Sequence, residues 1–222
     1  MNVDTQSDEE SLLQRAAGGD LEPWGALLAQ NAERLRRVAS FRLNPQLRGR
    51  IDAADVVQET FVAATERRAE FFAEPGRPLF LWLRWMTANT LLDLHRHHLD
   101  ARMRDPRREQ PFGKGGGDGW AGDATDATRE ALAAQLTCGV TGPATAARRG
   151  ELHARLNEAL GRMDPTDREV LALRHYEQLT STETAEVLGI QERAAAKRYG
   201  RALERLRELL EEMPGGLTEF RT

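Results

Sequence analysis

Arg193, Lys197 and Arg201 stand four residues apart near the C-terminal end of the chain, with Arg198, Arg205 and Arg207 beside them. At about 100° per residue, a helix carries the first three on one side. From Gly189 to Arg207 these six cations are balanced only by Glu192 and Glu204, six minus two giving a local net of +4, in a chain whose formal net charge is −4. Guanidinium and ammonium groups at this spacing hold phosphates and reach base edges, and they break no bonds. An ordinary solvated helix face would carry the same charges. The residues just upstream argue against that reading. Thr180 and Glu183 form a capping-box pattern, Ala185 and Val187-Leu188 supply an apolar side, and Gly189 offers the left-handed backbone that ends a helix. Tyr199, Leu203, Leu206 and Leu210 are expected to form the apolar stripe of the second helix. Helix, tight turn and basic helix together make a helix-turn-helix whose second helix suits the major groove.

Two further groups sit in the N-terminal half. Asp52, Asp55 and Glu59 fall within about 60° of arc on one helix, opposite Ala53, Val57, Phe61 and Ala64, which are expected to be buried. A carboxylate stripe is usually a solvated face with some helix-dipole benefit, and the sharper reading is a docking face for a basic partner surface. On the next helix Trp85, Asn89, Leu92 and Arg96 share a stripe about a third of a turn from Leu79, Leu83, Met86 and Leu94, the expected core. An aromatic, an amide and a cation in a row suit a single strand by stacking, hydrogen bonding and charge neutralisation. A half-buried Trp85 beside a solvated Asn89 fits the same pattern, and spacing alone leaves both readings open.

Other chemistries find little support. No Gly-x-Ser-x-Gly, kinase or dinucleotide pattern occurs, and the Gly-rich run 113–119 lacks the Lys-Ser/Thr ending of a phosphate loop. His95, His97 and His98 cluster, yet no His-Glu-x-x-His accompanies them and Cys138 is the single cysteine. Neither catalytic residues, metal nor cofactor is expected. One cysteine excludes an intramolecular disulfide framework and fits a reducing cytoplasm. No apolar run approaches a membrane span, and residues 1–10 are polar and acidic, unlike a signal peptide.

The elements that must position these groups are all helical. With 222 residues, 40% hydrophobic and 30% charged, the chain has material for one or two domains with small helical cores. Helices are expected over 11–17, 21–43, 51–72, 78–104 and 127–136. Further helices are expected over 151–163, 166–176 after Asp164-Pro165, and the helix-turn-helix, with Thr141-Gly142-Pro143 as another start. The expectation is an all-α chain of two small helical domains, 1–105 and 146–213, joined by a flexible linker, 106–145, with a tail over 214–222.

Read together, the motifs resemble an extracytoplasmic-function sigma factor, a two-domain branch of the sigma-seventy family of bacterial transcription initiation factors. The residues that carry the resemblance are Asp52-Ala53-Ala54-Asp55-Val56-Val57-Gln58-Glu59-Thr60-Phe61, Phe80-Leu81-Trp82-Leu83 leading to Thr87-Ala88-Asn89, and Asp164-Pro165-Thr166-Asp167-Arg168-Glu169-Val170-Leu171. Val187-Leu188-Gly189-Ile190 and Arg201-Ala202-Leu203-Glu204-Arg205-Leu206 complete it. The resemblance implies no enzyme, but a factor that directs RNA polymerase to promoters and helps open them. Asp52, Asp55, Gln58 and Glu59 would dock on the clamp helices of the polymerase largest subunit. Trp85, Asn89 and Arg96 would capture the non-template strand of the minus-ten element, Asn89 reading a flipped base. Arg193, Lys197, Arg198 and Arg201 would meet the minus-thirty-five duplex, Lys197 and Arg201 at base edges and the other two at phosphates. It also admits an anti-sigma factor as partner. Gln191 departs from the frequent Ser or Thr cap, and Ala194-Ala195-Ala196 and Gly200 stand where longer side chains are common. The alternative is a freestanding helix-turn-helix regulator with an N-terminal ligand- or protein-binding domain, which would need neither Asp55, Glu59 nor Asn89. A third reading is a pure interaction protein that binds polymerase without DNA.

Overall fold

A computed structural model describes residues 3–43, 47, 49–99, 126–138 and 146–213. Among them every regular element is helical and none is a strand. The chain divides into two compact units between Asp105 and Pro106.

The first unit contains α1 (Val3–Ala17), α2 (Leu21–Arg42), α3 (Ala53–Glu66), α4 (Arg68–Phe72) and α5 (Leu79–Leu99). Helix α1 begins at Val3, earlier than the apolar periodicity from Ser11 suggested. Asp20 caps α2 by accepting from the Glu22 N–H at 3.1 Å. Helices α2, α3 and α5 pack on one another, and Trp24, Phe71 and Trp82 fill the space between them. The Phe71 and Trp82 ring centroids are 5.2 Å apart and those of Trp24 and Trp82 6.1 Å, a tilted arrangement that avoids face-to-face repulsion. Trp24 donates its indole N–H to Thr65 Oγ1 at 3.2 Å, so its polar atom is satisfied although the ring is buried.

One expected helix, 51–72, is broken. Arg67 leaves the helical region at φ −97°, ψ 14°, and α4 starts anew. The break puts Phe71 against both tryptophans, a gain that periodicity within α3 does not register. The buried side of α3 is Val56, Val57, Thr60 and Ala64, whereas Ala53 and Phe61 are only half-buried. On α5, Leu79, Leu83 and Met86 are core as expected, and Leu94 is half-buried.

The second unit contains α6 (Asp126–Cys138), α7 (Ala146–Arg162), α8 (Pro165–Leu171), a π-helical turn (Ala172–Tyr176), α9 (Ser181–Leu188) and α10 (Glu192–Glu212). Helix α6 falls inside the span 106–145 expected to be linker, where 127–136 has helical composition, and it packs on α7 through buried Leu132 and Ala133. The Gly-rich run 113–119 and Thr141-Gly142-Pro143 lie outside the described residues. Asp164 caps α8 on the Thr166 N–H at 2.8 Å, with Pro165 in the first turn. Helix α10 is anchored by Ala195, Ala202, Leu206, Leu209, Leu210 and Met213. Leu203, expected in this stripe, is 38% exposed, because the partner helices α7, α8 and α9 meet α10 on the side of Ala202 and Leu206.

The π-helical turn reaches α10 through His175, whose Nε2 lies 3.1 Å from the Tyr199 hydroxyl. Burial, and then the charge of Arg174, hold the His175 pKa below its ordinary value. The unfolded chain therefore takes up the proton more readily. Stability is complete above the ordinary histidine range and is lost as pH falls through it. Urea unfolding of the full chain should show a lower midpoint at pH about 5.5 than at about 7.5, and His175→Gln should remove most of the difference. A midpoint unchanged over this interval would contradict the assignment.

Candidate functional site

The helix-turn-helix is built by local chemistry. Thr180 Oγ1 accepts from the Glu183 N–H at 3.1 Å, while the Glu183 carboxylate accepts from the Thr180 N–H at 2.8 Å. Both donors at the start of α9 are thereby satisfied. Gly189 ends the helix at φ 62°, ψ 32°. Its N–H reaches the Glu186 carbonyl at 3.1 Å and the Ile190 N–H the Ala185 carbonyl at 3.0 Å, the paired bonds of a Schellman motif. Gln191 then opens α10 in extended backbone without a side-chain cap, as its residue type implies.

The charges of α10 divide along its length. Arg205 pairs with Glu208 at 3.1 Å, and Arg207 with Glu211 at 3.0 Å and Glu204 at 3.9 Å. Arg193, Lys197 and Arg201 are exposed, Arg198 is half-buried, and among the described residues none of the four makes an ion pair. The structure thus brings together all four cations expected to meet duplex DNA, and leaves their charge unbalanced. The three alanines 194–196 alternate: Ala195 is buried, whereas Ala194 and Ala196 leave a shallow surface between the cations.

On α3 the expected carboxylates separate into two kinds. Asp52 Oδ1 accepts from the Ala54 and Asp55 N–H groups at 2.7 and 2.8 Å, and Asp55 Oδ2 accepts from the Asp52 N–H at 3.0 Å. These two make a capping box and are committed to the helix. Gln58 and Glu59 are exposed, and among the described residues neither makes a hydrogen bond or ion pair. Val62, three and four residues further on, is 61% exposed and extends their face with an apolar group that the acidic spacing did not reveal.

On α5, Trp85, Asn89 and Leu92 are half-buried in one line, and the Asn89 amide makes no hydrogen bond among the described residues. Arg96 lies in the same helix, its side chain outside the described residues, as are those of His95, His97 and His98. Two arginines from other elements approach Trp85, Arg67 at 5.0 Å and Arg77 at 5.8 Å from guanidinium carbon to ring centroid. No helical spacing relates them to Trp85, so sequence periodicity could not find them. No group of three His, Cys, Asp or Glu side chains suited to a metal occurs among the described residues. No helix there is long and apolar enough to cross a membrane.

Comparison with known proteins places these surfaces in context. Residues 27–99 match the family model for sigma-70 region 2, and residues 153–206 that for sigma-70 region 4. The RNA polymerase sigma factor CnrH of Cupriavidus metallidurans is 31% identical over 210 residues, spanning 94% of this chain and 97% of its own. The ECF RNA polymerase sigma factor BldN of Streptomyces coelicolor is 28% identical over 199 residues, 90% of this chain and 64% of its own. A solved structure of CnrH in complex with the cytosolic domain of CnrY aligns over 91% of this chain and 97% of that one, with a TM-score of 0.50 and 28% identity.

The split on α3 predicts unequal costs. Asp52→Ala should destabilise the first unit by about 0.5–2 kcal/mol by removing the cap. Glu59→Ala should stay within about 0.5 kcal/mol of the parent, as for a surface substitution without partners. Urea unfolding curves decide it; equal losses would mean that Glu59 has a structural role.

Proposed function

The chain belongs to the sigma-70 family as an RNA polymerase sigma factor of the extracytoplasmic-function type, and from that premise we propose how its surfaces divide the work. The exposed face of α3, centred on Gln58 and Glu59, docks on basic helices of the polymerase largest subunit. Asp52 and Asp55 contribute by fixing where α3 begins, and their field reaches the same partner. Trp85 and Asn89 receive the opened non-template strand of the minus-ten element, the indole offering a stacking face and the free amide hydrogen bonds to a base edge. Arg96 adds a cation further along α5. Helix α10 enters the major groove of the minus-thirty-five element, Lys197 and Arg201 towards base edges and Arg193 and Arg198 towards phosphates.

The observation that carries this reading is the charge division of α10. Its C-terminal half neutralises its own arginines, and its N-terminal half leaves four cations without an anion among the described residues. A duplex supplies the missing phosphates. No chemistry on nucleotides is required of this chain, since the polymerase makes the RNA. Because CnrH has been solved with the cytosolic domain of CnrY, we extend to this chain a protein partner of the same kind, an anti-sigma factor that withholds it from polymerase. Such a role places the chain in the cytoplasm.

Charge reversal at Glu59, with Gln58→Arg, should abolish co-purification with bacterial core polymerase while leaving the thermal unfolding midpoint unchanged. Retained co-purification would remove α3 from the polymerase interface. Asp55 is a poor position for this test, because reversing it also breaks the cap. Separately, Lys197→Ala and Arg201→Ala should each weaken promoter binding. A substitution that removes a phosphate-binding cation should lower the log–log salt slope by about 0.9, and one that removes a reader of base edges should relax sequence preference instead. Unchanged affinity, slope and preference in both variants would exclude α10 as the duplex-reading helix.

A further inference from the structure

Trp85 is flanked by an arrangement that stacking alone does not require. Arg67, at the break between α3 and α4, gives Nε to Glu70 Oε1 at 3.0 Å and Nη2 to Glu70 Oε2 at 2.6 Å, and turns Nη1 towards Met86 Sδ at 3.7 Å. Arg77, in the turn before α5 that Gly76 makes at φ 87°, gives only Nη1, to Glu74 Oε2 at 3.0 Å. Both guanidinium carbons are within cation–π reach of the indole, at 5.0 and 5.8 Å. The two side chains are nevertheless open to solvent, 40% and 36% exposed. One arginine is thus locked by a two-point ion pair and a sulfur neighbour. The other keeps Nε and Nη2 uncommitted among the described residues.

A flat ring with an anchored guanidinium and a donor-rich one both within reach of it matches a nucleotide, which pairs an aromatic base with an adjacent phosphate. Resting on the reading of Trp85 as a strand contact, we propose that Arg77 binds a backbone phosphate of the single strand whose base stacks on Trp85, and that Arg67 is a positioning residue that holds the indole in place. Glu74 holds the Arg77 guanidinium by one bond in the free protein and shares it with the phosphate when the strand arrives. Glu70 never releases Arg67. The surface is therefore specific for an opened strand, because a duplex keeps its bases stacked on one another and offers none to the indole.

The test uses holoenzyme assembled from the full chain and bacterial core polymerase. The probe is a fork-junction DNA with a single-stranded non-template overhang, taken from a promoter that this holoenzyme selects, titrated at several salt concentrations. Arg77→Ala should weaken fork binding about tenfold and lower the salt slope by about 0.7, the value for one single-strand phosphate. Arg77→Lys should restore the slope. Arg67→Ala should weaken binding with the slope unchanged, and on binding should reduce the fluorescence change that Trp85→Phe abolishes. If Trp85→Ala weakens fork binding while Arg77→Ala alters neither affinity nor slope, the clamp is wrong and the stacking role of Trp85 stands. If Trp85→Ala has no effect, the strand reading falls with it. Should Arg77→Ala impair assembly with core polymerase and leave fork binding by the assembled complex intact, the guanidinium faces protein and the proposal is overturned.

Discussion

Like charges four residues apart on a helix repel by about 0.2–0.5 kcal/mol per pair, and cations near a helix N-terminus oppose its dipole. The start of α10 accepts both penalties, with Arg193, Lys197 and Arg201 in one line and no side-chain cap at Gln191. The other end of the same helix holds it in place. Leu206, Leu209, Leu210 and Met213 are buried, each such side chain contributing about 1.5–3 kcal/mol, and Arg205 and Arg207 are neutralised by neighbouring glutamates. Stability is concentrated where the helix meets its own domain. Uncompensated positive charge is left at the opposite end, where we propose that the duplex binds.

The first unit follows the same division on α3. Asp52 and Asp55 commit their carboxylates to backbone donors, which fixes the helix start, and the next turn presents Gln58 and Glu59 without partners among the described residues. Val62 continues that face, so the surface we propose for polymerase docking carries an apolar group beside its charge. In both units a capping box fixes a helix start, on α3 and on α9, and exposed charge without partners among the described residues follows it, on the next turn of α3 and on α10. The sign of the free charge differs, negative on α3 and positive on α10, which is the division that the proposed protein and DNA partners require.

Much of this was legible in the residues because caps and turns are local. Thr180 with Glu183, Gly189, Asp164 with Pro165, and Asp52 each act within four residues, and each forms as expected. What escaped the sequence is non-local. The break at Arg67 follows from the place of Phe71 between Trp24 and Trp82, residues 47 and 11 positions away (71 − 24 and 82 − 71). The exposure of Leu203 depends on which neighbours α10 meets, and helical periodicity reports only that a leucine lies near the stripe. The π-helical turn is set by the Glu177 N–H reaching the Ala172 carbonyl at 3.0 Å, and no residue type signals it. The same distinction divides the candidate surfaces. Cations at i, i+4 and i+8 are visible as a set, whereas Arg67 and Arg77 join Trp85 only through the fold.

As a sigma factor this chain supplies promoter choice to a polymerase that lacks it, and the proposed roles of these surfaces all serve that end. Run-off transcription with bacterial core polymerase on a genomic fragment library measures that directly. With the chain added, transcripts should begin at a small set of defined sites sharing two conserved elements, and core polymerase alone should produce none of them. Transcripts with the same start distribution in the presence and absence of the chain would contradict it.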